Sequence, residues 1–184
     1  GLPLYDAFLD AGVIPVGIET YATSRRLEKS FRLQGADLET EYNAYESAVE
    51  RSQVKAADFV GKAAYLEQRS RKPDAILCTL TLDRLKIGGG PARYPVGIAP
   101  ILDPQSLETL VDAQGRRSYT TSSAYCPSLE EHVVMAYLPS DRAEVGAKLI
   151  LEYFDEGGDG HYPVTIRIVG KGSLYDPQNQ RVRG

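Results

Sequence analysis

The chain has 184 residues, 42% hydrophobic and 25% charged, with a net charge of −4. That length buries one core or two small ones, and the acidic balance excludes a general field for nucleic acid or anionic lipid. Apolar runs such as Val13–Ile18 and Lys148–Phe154 fall far short of a bilayer span, no secretory leader is expected, and two cysteines make no disulfide framework, which favours a reducing compartment.

In chain order, Leu4, Phe8 and Leu9 recur at helical spacing ahead of Gly12, which predicts a short helix with a left-handed cap. Val13–Ile18 is β-branched but contains Pro15, so an edge strand or extended approach is expected. Thr20 or Thr23 is placed to cap a helix reaching about Phe31, with Gly35 soon after. A further helix is expected over Gly61–Arg69, after the turn at Asp58–Phe59. From Lys72 onward the texture changes to strands and turns. Strands are predicted over Ala75–Leu82, Arg116–Ala124, Val133–Leu138, Lys148–Phe154 and Pro163–Val169. Val164, Ile166 and Ile168 alternate with Thr165 and Arg167, the period of a half-buried strand. Asp112–Gly115 and Asp155–Gly160 carry hairpin chemistry, and Gly88–Gly90 with Pro91 marks a long loop. Short strands at this spacing form a small barrel or sandwich, so the chain reads as α+β.

The stretch around Ser24–Phe31 is the most informative chemically. On one helix, Arg25, Lys29 and Arg32 would share a basic face. Glu28 would lie with Tyr21, Ser24 and Phe31 on the semi-apolar flank, where a carboxylate can accept two parallel N–H bonds from a planar heterocycle. The same spacing fits an ordinary solvated ion pair with Arg25 or Arg32. Elsewhere Cys78, Cys126, His132 and His161 lack the paired spacing of a metal site, so none is expected. Cys126 before a proline reads as a small buried hydrophobe. No Gly-x-Ser-x-Gly elbow or phosphate loop is present. Asp37, Asp58, Asp83, Asp103 and Asp176 each sit at a turn signal that explains them locally. On its residues alone this is a binding half without a catalytic centre.

Several segments, in order, resemble the glycine-cleavage T-protein family. Gly17-Ile-Glu-Thr-Tyr-Ala-Thr-Ser-Arg-Arg-Leu-Glu-Lys29 is similar to its Gly-x-x-Ala-x-x-Ser-Leu-Arg-Leu-Glu-Lys-Gly block. Gly35-Ala-Asp-Leu38, Tyr45-Glu-Ser-Ala48 and Lys55-Ala-Ala-Asp-Phe-Val-Gly-Lys62 resemble its Gly-x-Asp, Pro-x-Glu-Ala-Gly and Lys-x-Asp-Phe-Ile-Gly-Lys blocks. Thr121-Ser-Ser-Ala-Tyr-Cys-Pro-Ser-Leu129 is similar to a Thr-Ser-Gly-x-x-Ser-Pro-x-Leu segment. Leu174-Tyr-Asp-Pro177, followed by Arg181 and Arg183, resembles the ending found in the folate module of dimethylglycine and sarcosine dehydrogenases.

The resemblance implies transfer of a one-carbon unit from a small-molecule amine or related methyl donor to tetrahydrofolate. It implies that residues 1–70 end a mixed α/β folate-binding subdomain and that 71–184 form a small antiparallel β-barrel. It assigns Glu28 to holding the pterin, and places Lys55 and Tyr175 near the folate. The family's catalytic aspartate has no counterpart here, so no catalytic residue is expected in this chain, and a missing N-terminal half or partner subunit would supply it. Neither nucleic acid nor membrane is an expected partner, and the expected compartment is the cytoplasm, or the mitochondrial matrix in a eukaryote. Arg25 stands where the family has Leu, Ser30 where it has Gly, Ala44 for a common Pro, and Ser123 for Gly. Two other roles stay open: a non-catalytic folate-binding scaffold, and a structural module of a flavin-dependent amine dehydrogenase.

Overall fold

The near-continuous apolar run Ala75–Leu82 forms β1, buried along almost its whole length, as suits a strand with neighbours on both edges and covered faces. On one edge it pairs antiparallel with β4 (Glu131–Pro139), from Ala75 opposite Pro139 to Thr81 opposite Val133. On the other it pairs with β6 (His161–Val169), across a bulge between Thr79 and Leu80. Outside these lie β3 (Thr120–Cys126) on β4, β5 (Lys148–Glu152) on β6, and the two-residue β2 (Ile101–Leu102) on β5. The order is β2-β5-β6-β1-β4-β3. The computed structural model describes residues 1–51, 53–83, 97–153 and 160–183. The loop at Gly88–Gly90 and most of the Asp155–Gly160 turn fall outside them.

The sheet curls until backbone beside its two edge strands meets. Thr120 N–H donates to Ala99 (2.8 Å) and Ile101 N–H to Ser118 (3.0 Å), with a bridge between Pro100 and Tyr119. The expected barrel is thus a curled half-barrel laced by flanking segments. Its concave core holds Cys78, Leu80, Val134, Ala136, Leu151 and Ile166. Alternation sends Leu77, Val133, Met135 and Tyr137 to the opposite face, where Leu27 and Tyr42 pack on them. Residues upstream of β1 therefore cover the outside of the sheet. In β6, Val164 and Ile166 are buried and Arg167 is exposed, as the alternation predicts, while Thr165 and Ile168 are both half-buried.

The helix read from Leu4, Phe8 and Leu9 is α1 (Leu2–Asp10). Gly12 at φ +80° lets its N–H reach Leu9 (2.9 Å) and Val13 N–H reach Phe8 (3.0 Å), closing a Schellman turn. None of its side chains is buried, and Leu4, Phe8, Ile14, Val16 and Ile18 stand in solvent. Of the two forms expected of Val13–Ile18, edge strand or extended approach, the strand does not form. Pro15 withholds an N–H, and no described strand pairs with the run. α3 (Lys62–Arg69) follows Gly61 as expected, and no described helix is long and apolar enough to cross a membrane.

Candidate functional site

The stretch carrying Glu28 is not the single α-helix its spacing suggests. Thr20–Arg25 is π-helical and passes directly into α2 (Arg26–Glu28). Thr20 and Thr23 lie inside the π-helix and cap nothing, because Glu19 occupies the N-cap position without a side-chain bond. The helix stops three residues short of Phe31. Ser30 N–H bonds Leu27 (2.9 Å), Phe31 N–H bonds Arg26 (2.8 Å), and Ser30 takes φ +53°. The chain therefore turns away before Arg32, and the basic face expected of Arg25, Lys29 and Arg32 does not exist. Arg32 instead donates to the carbonyls of Ser30 (2.8 Å), Ser47 (3.2 Å) and Gly170 (2.7 Å). Such π-helical turns recur at functional sites.

The ending of α2 drives Glu28 against β3. It is only 2% exposed, so its charge requires partners. Oε1 accepts the Ser128 N–H at 2.8 Å. The Arg25 Nη1 lies 3.1 Å from Oε1 and 3.0 Å from Oε2 and also reaches the Ser128 hydroxyl. The ordinary pair with Arg25 is thus present, but the solvated surface is not. Only Arg25 is substantially exposed, at 48% of its side chain. One guanidinium nitrogen bridges both oxygens, a weaker geometry than two parallel N–H bonds. Cys126 lies beside this pair with its Sγ 3.4 Å from the Ser24 carbonyl. Burial, then the Glu28 carboxylate, pushes its thiol up to about 12, so it is no nucleophile at neutral pH.

Tyr175 is brought to this site and Lys55 is not. The Tyr175 N–H bonds the Glu28 carbonyl at 2.9 Å, and its hydroxyl accepts from Arg181 at 2.7 Å. Lys29 holds the segment in place. Its ammonium donates to the carbonyls of Tyr175 (3.1 Å) and Asp176 (2.8 Å) and to Asn179 Oδ1 (2.8 Å). Lys29→Met is expected to free the strap, and hydrogen exchange at the Tyr175 amide should then speed up at least about tenfold. An unchanged rate would show that Leu174 packing alone holds it. Lys55 instead lines a cavity of about 400 Å³ with Val49, Glu50, Phe59 and Tyr65; neither Glu28 nor Tyr175 reaches it.

Two buried ionic clusters lie outside what the sequence reading found. Asp37, fully buried, accepts from Arg26 (2.8 Å), the Leu33 N–H (2.9 Å), Thr121 (2.5 Å) and Ser122 (2.7 Å). Arg116 bridges Glu46 and Asp112, at 2.7 Å to the latter, and lies over the Tyr42 ring. The visible signal for the second was an arginine beside the Asp112–Gly115 turn, but its partner Glu46 is distant in sequence. Among the described residues no group of three or more His, Cys, Asp or Glu side chains could hold a metal ion.

No family model matches the chain. Among curated proteins it is 28% identical over 169 residues to the mitochondrial dimethylglycine dehydrogenase of Homo sapiens, spanning 89% of this chain and 17% of that one. It is 30% identical over 154 residues to an aminomethyltransferase of Parasynechococcus marenigrum, and 25% over 179 residues to one of Acidobacterium capsulatum. These cover 83% and 95% of this chain but 37% and 41% of theirs. Over most of its length the chain is thus similar to the glycine-cleavage T-protein family, which these relatives support. Its fold agrees. The aminomethyltransferase T of the glycine cleavage system from Bartonella henselae superposes with a TM-score of 0.61 over 88% of this chain and 40% of its own, at 21% identity. The chain therefore spans well under half the length of these T-protein relatives and is aminomethyltransferase-like over that part.

Proposed function

We propose that this chain is the C-terminal part of a protein that transfers a one-carbon unit from an amine, or a related methyl donor, to tetrahydrofolate. The observation carrying the reading is Glu28, an almost fully buried carboxylate whose Oε2, among the described residues, meets the end of one half-exposed side chain. A guanidinium already sits on it, so a planar group with N–H donors fits the same place. The pterin ring of a reduced folate supplies such donors, and bound folate accepts the one-carbon unit. Glu28 fixes its orientation by charge-assisted hydrogen bonds. Tyr175, tied to the Glu28 carbonyl, stands beside the ring, and the half-barrel keeps water from the reacting carbon. Lys55 lines a separate cavity and meets a more distant part of the ligand. Residues 1–70 form the end of the folate-binding subdomain and 71–184 the barrel that closes it. The carboxylate that orients the amine belongs to an upstream half or a partner subunit, so catalysis here is positioning.

A second reading has its own observation. Because Arg25 already satisfies Glu28, the fold also suits a structural module of a flavin-dependent amine dehydrogenase that binds no folate. Calorimetry of the full-length protein with 5-formyltetrahydrofolate separates the two. The first reading expects binding that weakens at least about tenfold in Glu28→Ala, with Glu28→Gln between. No binding by the wild-type protein supports the second.

A further inference from the structure

We infer that Arg25 is a latch on the ligand-binding carboxylate: in the free protein it occupies Glu28, and a planar N–H donor ligand binds only by displacing it. The inference rests on the folate reading of Glu28 and adds to it a residue that sets the affinity of that site.

The geometry has the features of a displaceable stand-in. Glu28 is held from two sides: it follows Leu27, which is packed in the core, and its Oε1 accepts the Ser128 N–H at 2.8 Å. Arg25 can move. Its side chain is about half exposed, while the carboxylate it meets is 3% exposed. It sits at the last position of the π-helical stretch, three residues before Glu28, so its guanidinium reaches the carboxylate from the solvent side. A single nitrogen spans both oxygens at 3.1 and 3.0 Å, so the two in-plane lone-pair directions are not matched by two separate N–H groups. A ligand offering a ring N–H and an exocyclic amine side by side makes the better pair. Among the described residues, the other bond of Arg25 is to the Ser128 hydroxyl, also at the site's mouth. Arg26 differs in every respect: it is tied to Asp37 and Ser122 and only 12% exposed. The neighbouring arginine is structural, and Arg25 is the one free to leave.

Displacement subtracts the Arg25–Glu28 interaction from the ligand's affinity. Removing the latch leaves Glu28 with the Ser128 N–H alone, a buried charge short of donors that the ligand then supplies. Binding should tighten.

The test compares wild type, Arg25→Leu, Glu28→Ala and the double variant of the full-length protein by calorimetry with 5-formyltetrahydrofolate. Arg25→Gln, which keeps N–H donors without the charge, covers the case in which the leucine variant folds poorly. The expected result is binding about tenfold tighter in Arg25→Leu than in wild type, an intermediate gain in Arg25→Gln, and loss of the gain when Glu28→Ala is added. Equal or weaker binding in both Arg25 variants overturns the latch and leaves the folate reading standing. A gain that persists without Glu28 also overturns it. Absence of binding in all proteins removes the folate reading and the latch with it.

Discussion

Asp37→Ala is expected to destabilise the fold by about 3–5 kcal/mol, enough to unfold a marginal domain. The carboxylate is the common acceptor for a guanidinium, a backbone N–H and two hydroxyls. Its loss leaves the nearly buried Arg26 without its counter-ion, and takes one partner each from Ser122 and Thr121 on β3. The backbone carbonyl of Asp37 also accepts from the Tyr137 hydroxyl at 2.6 Å, so the damage reaches β4. Urea denaturation followed by far-ultraviolet circular dichroism measures the loss. Asp37→Asn, which keeps an acceptor of the same shape, should fall between. A loss below 1 kcal/mol in Asp37→Ala would mean that the turn holds residues 26–38 without the ion pair.

Arg116→Met is expected to cost a similar amount, about 3–5 kcal/mol, by leaving two carboxylates buried without their shared cation. Glu46 and Asp112 are each about 2% exposed, and Arg116 lies 4.4 Å from the Tyr42 ring centroid. Tyr42 stacks in turn on Tyr137, with ring centroids 3.5 Å apart. Adding Glu46→Gln should recover part of the loss, because it removes one stranded charge. Both clusters lean on Tyr137, one through its hydroxyl and the other through its ring. The Asp37→Ala and Arg116→Met effects should therefore depart from additivity, and a double-mutant cycle by the same denaturation measures the coupling. Strict additivity would show that the two clamps hold their segments independently.

How far these features could be read beforehand depended on how local their causes were. β1 spans the residues its apolar run marked, and β4, β5 and β6 differ from their expected bounds by two residues or fewer at each end. The third strand starts at Thr120, not Arg116, because Arg116 turns inward to Glu46 and its neighbours make only isolated bridges. β2 carries too little pattern to read, two residues between Pro100 and Asp103. Asp103 and Asp176 do bond nearby N–H groups, as turn aspartates should, whereas Asp83 holds Lys148 and Thr165 from other strands. The turn reading of Asp37 caught its bond to the Leu33 N–H and missed Arg26 and β3. Glu28 stood out as a candidate once its spacing was joined to the resemblance. Its burial was not legible, because the group that fixes it is Ser128, one hundred residues away.

The departures from the family pattern also become physical. Ser30 and Ala48 stand where the resemblance places glycine, and both take φ +53°, the left-handed region glycine favours. The chain keeps those turns and bears the strain. Ser30 answers with a hydrogen bond, its Oγ 3.2 Å from Thr79 Oγ1. Arg25, in place of leucine, exchanges apolar packing for a charge on Glu28.

The most direct test of this account is a crystal structure of the full-length protein grown with 5-formyltetrahydrofolate. The expected result is the pterin ring on the Glu28 carboxylate, the Ser128 N–H bond retained, Tyr175 beside the ring and the Arg25 guanidinium turned away. Folate bound elsewhere with the Arg25–Glu28 pair intact would contradict it.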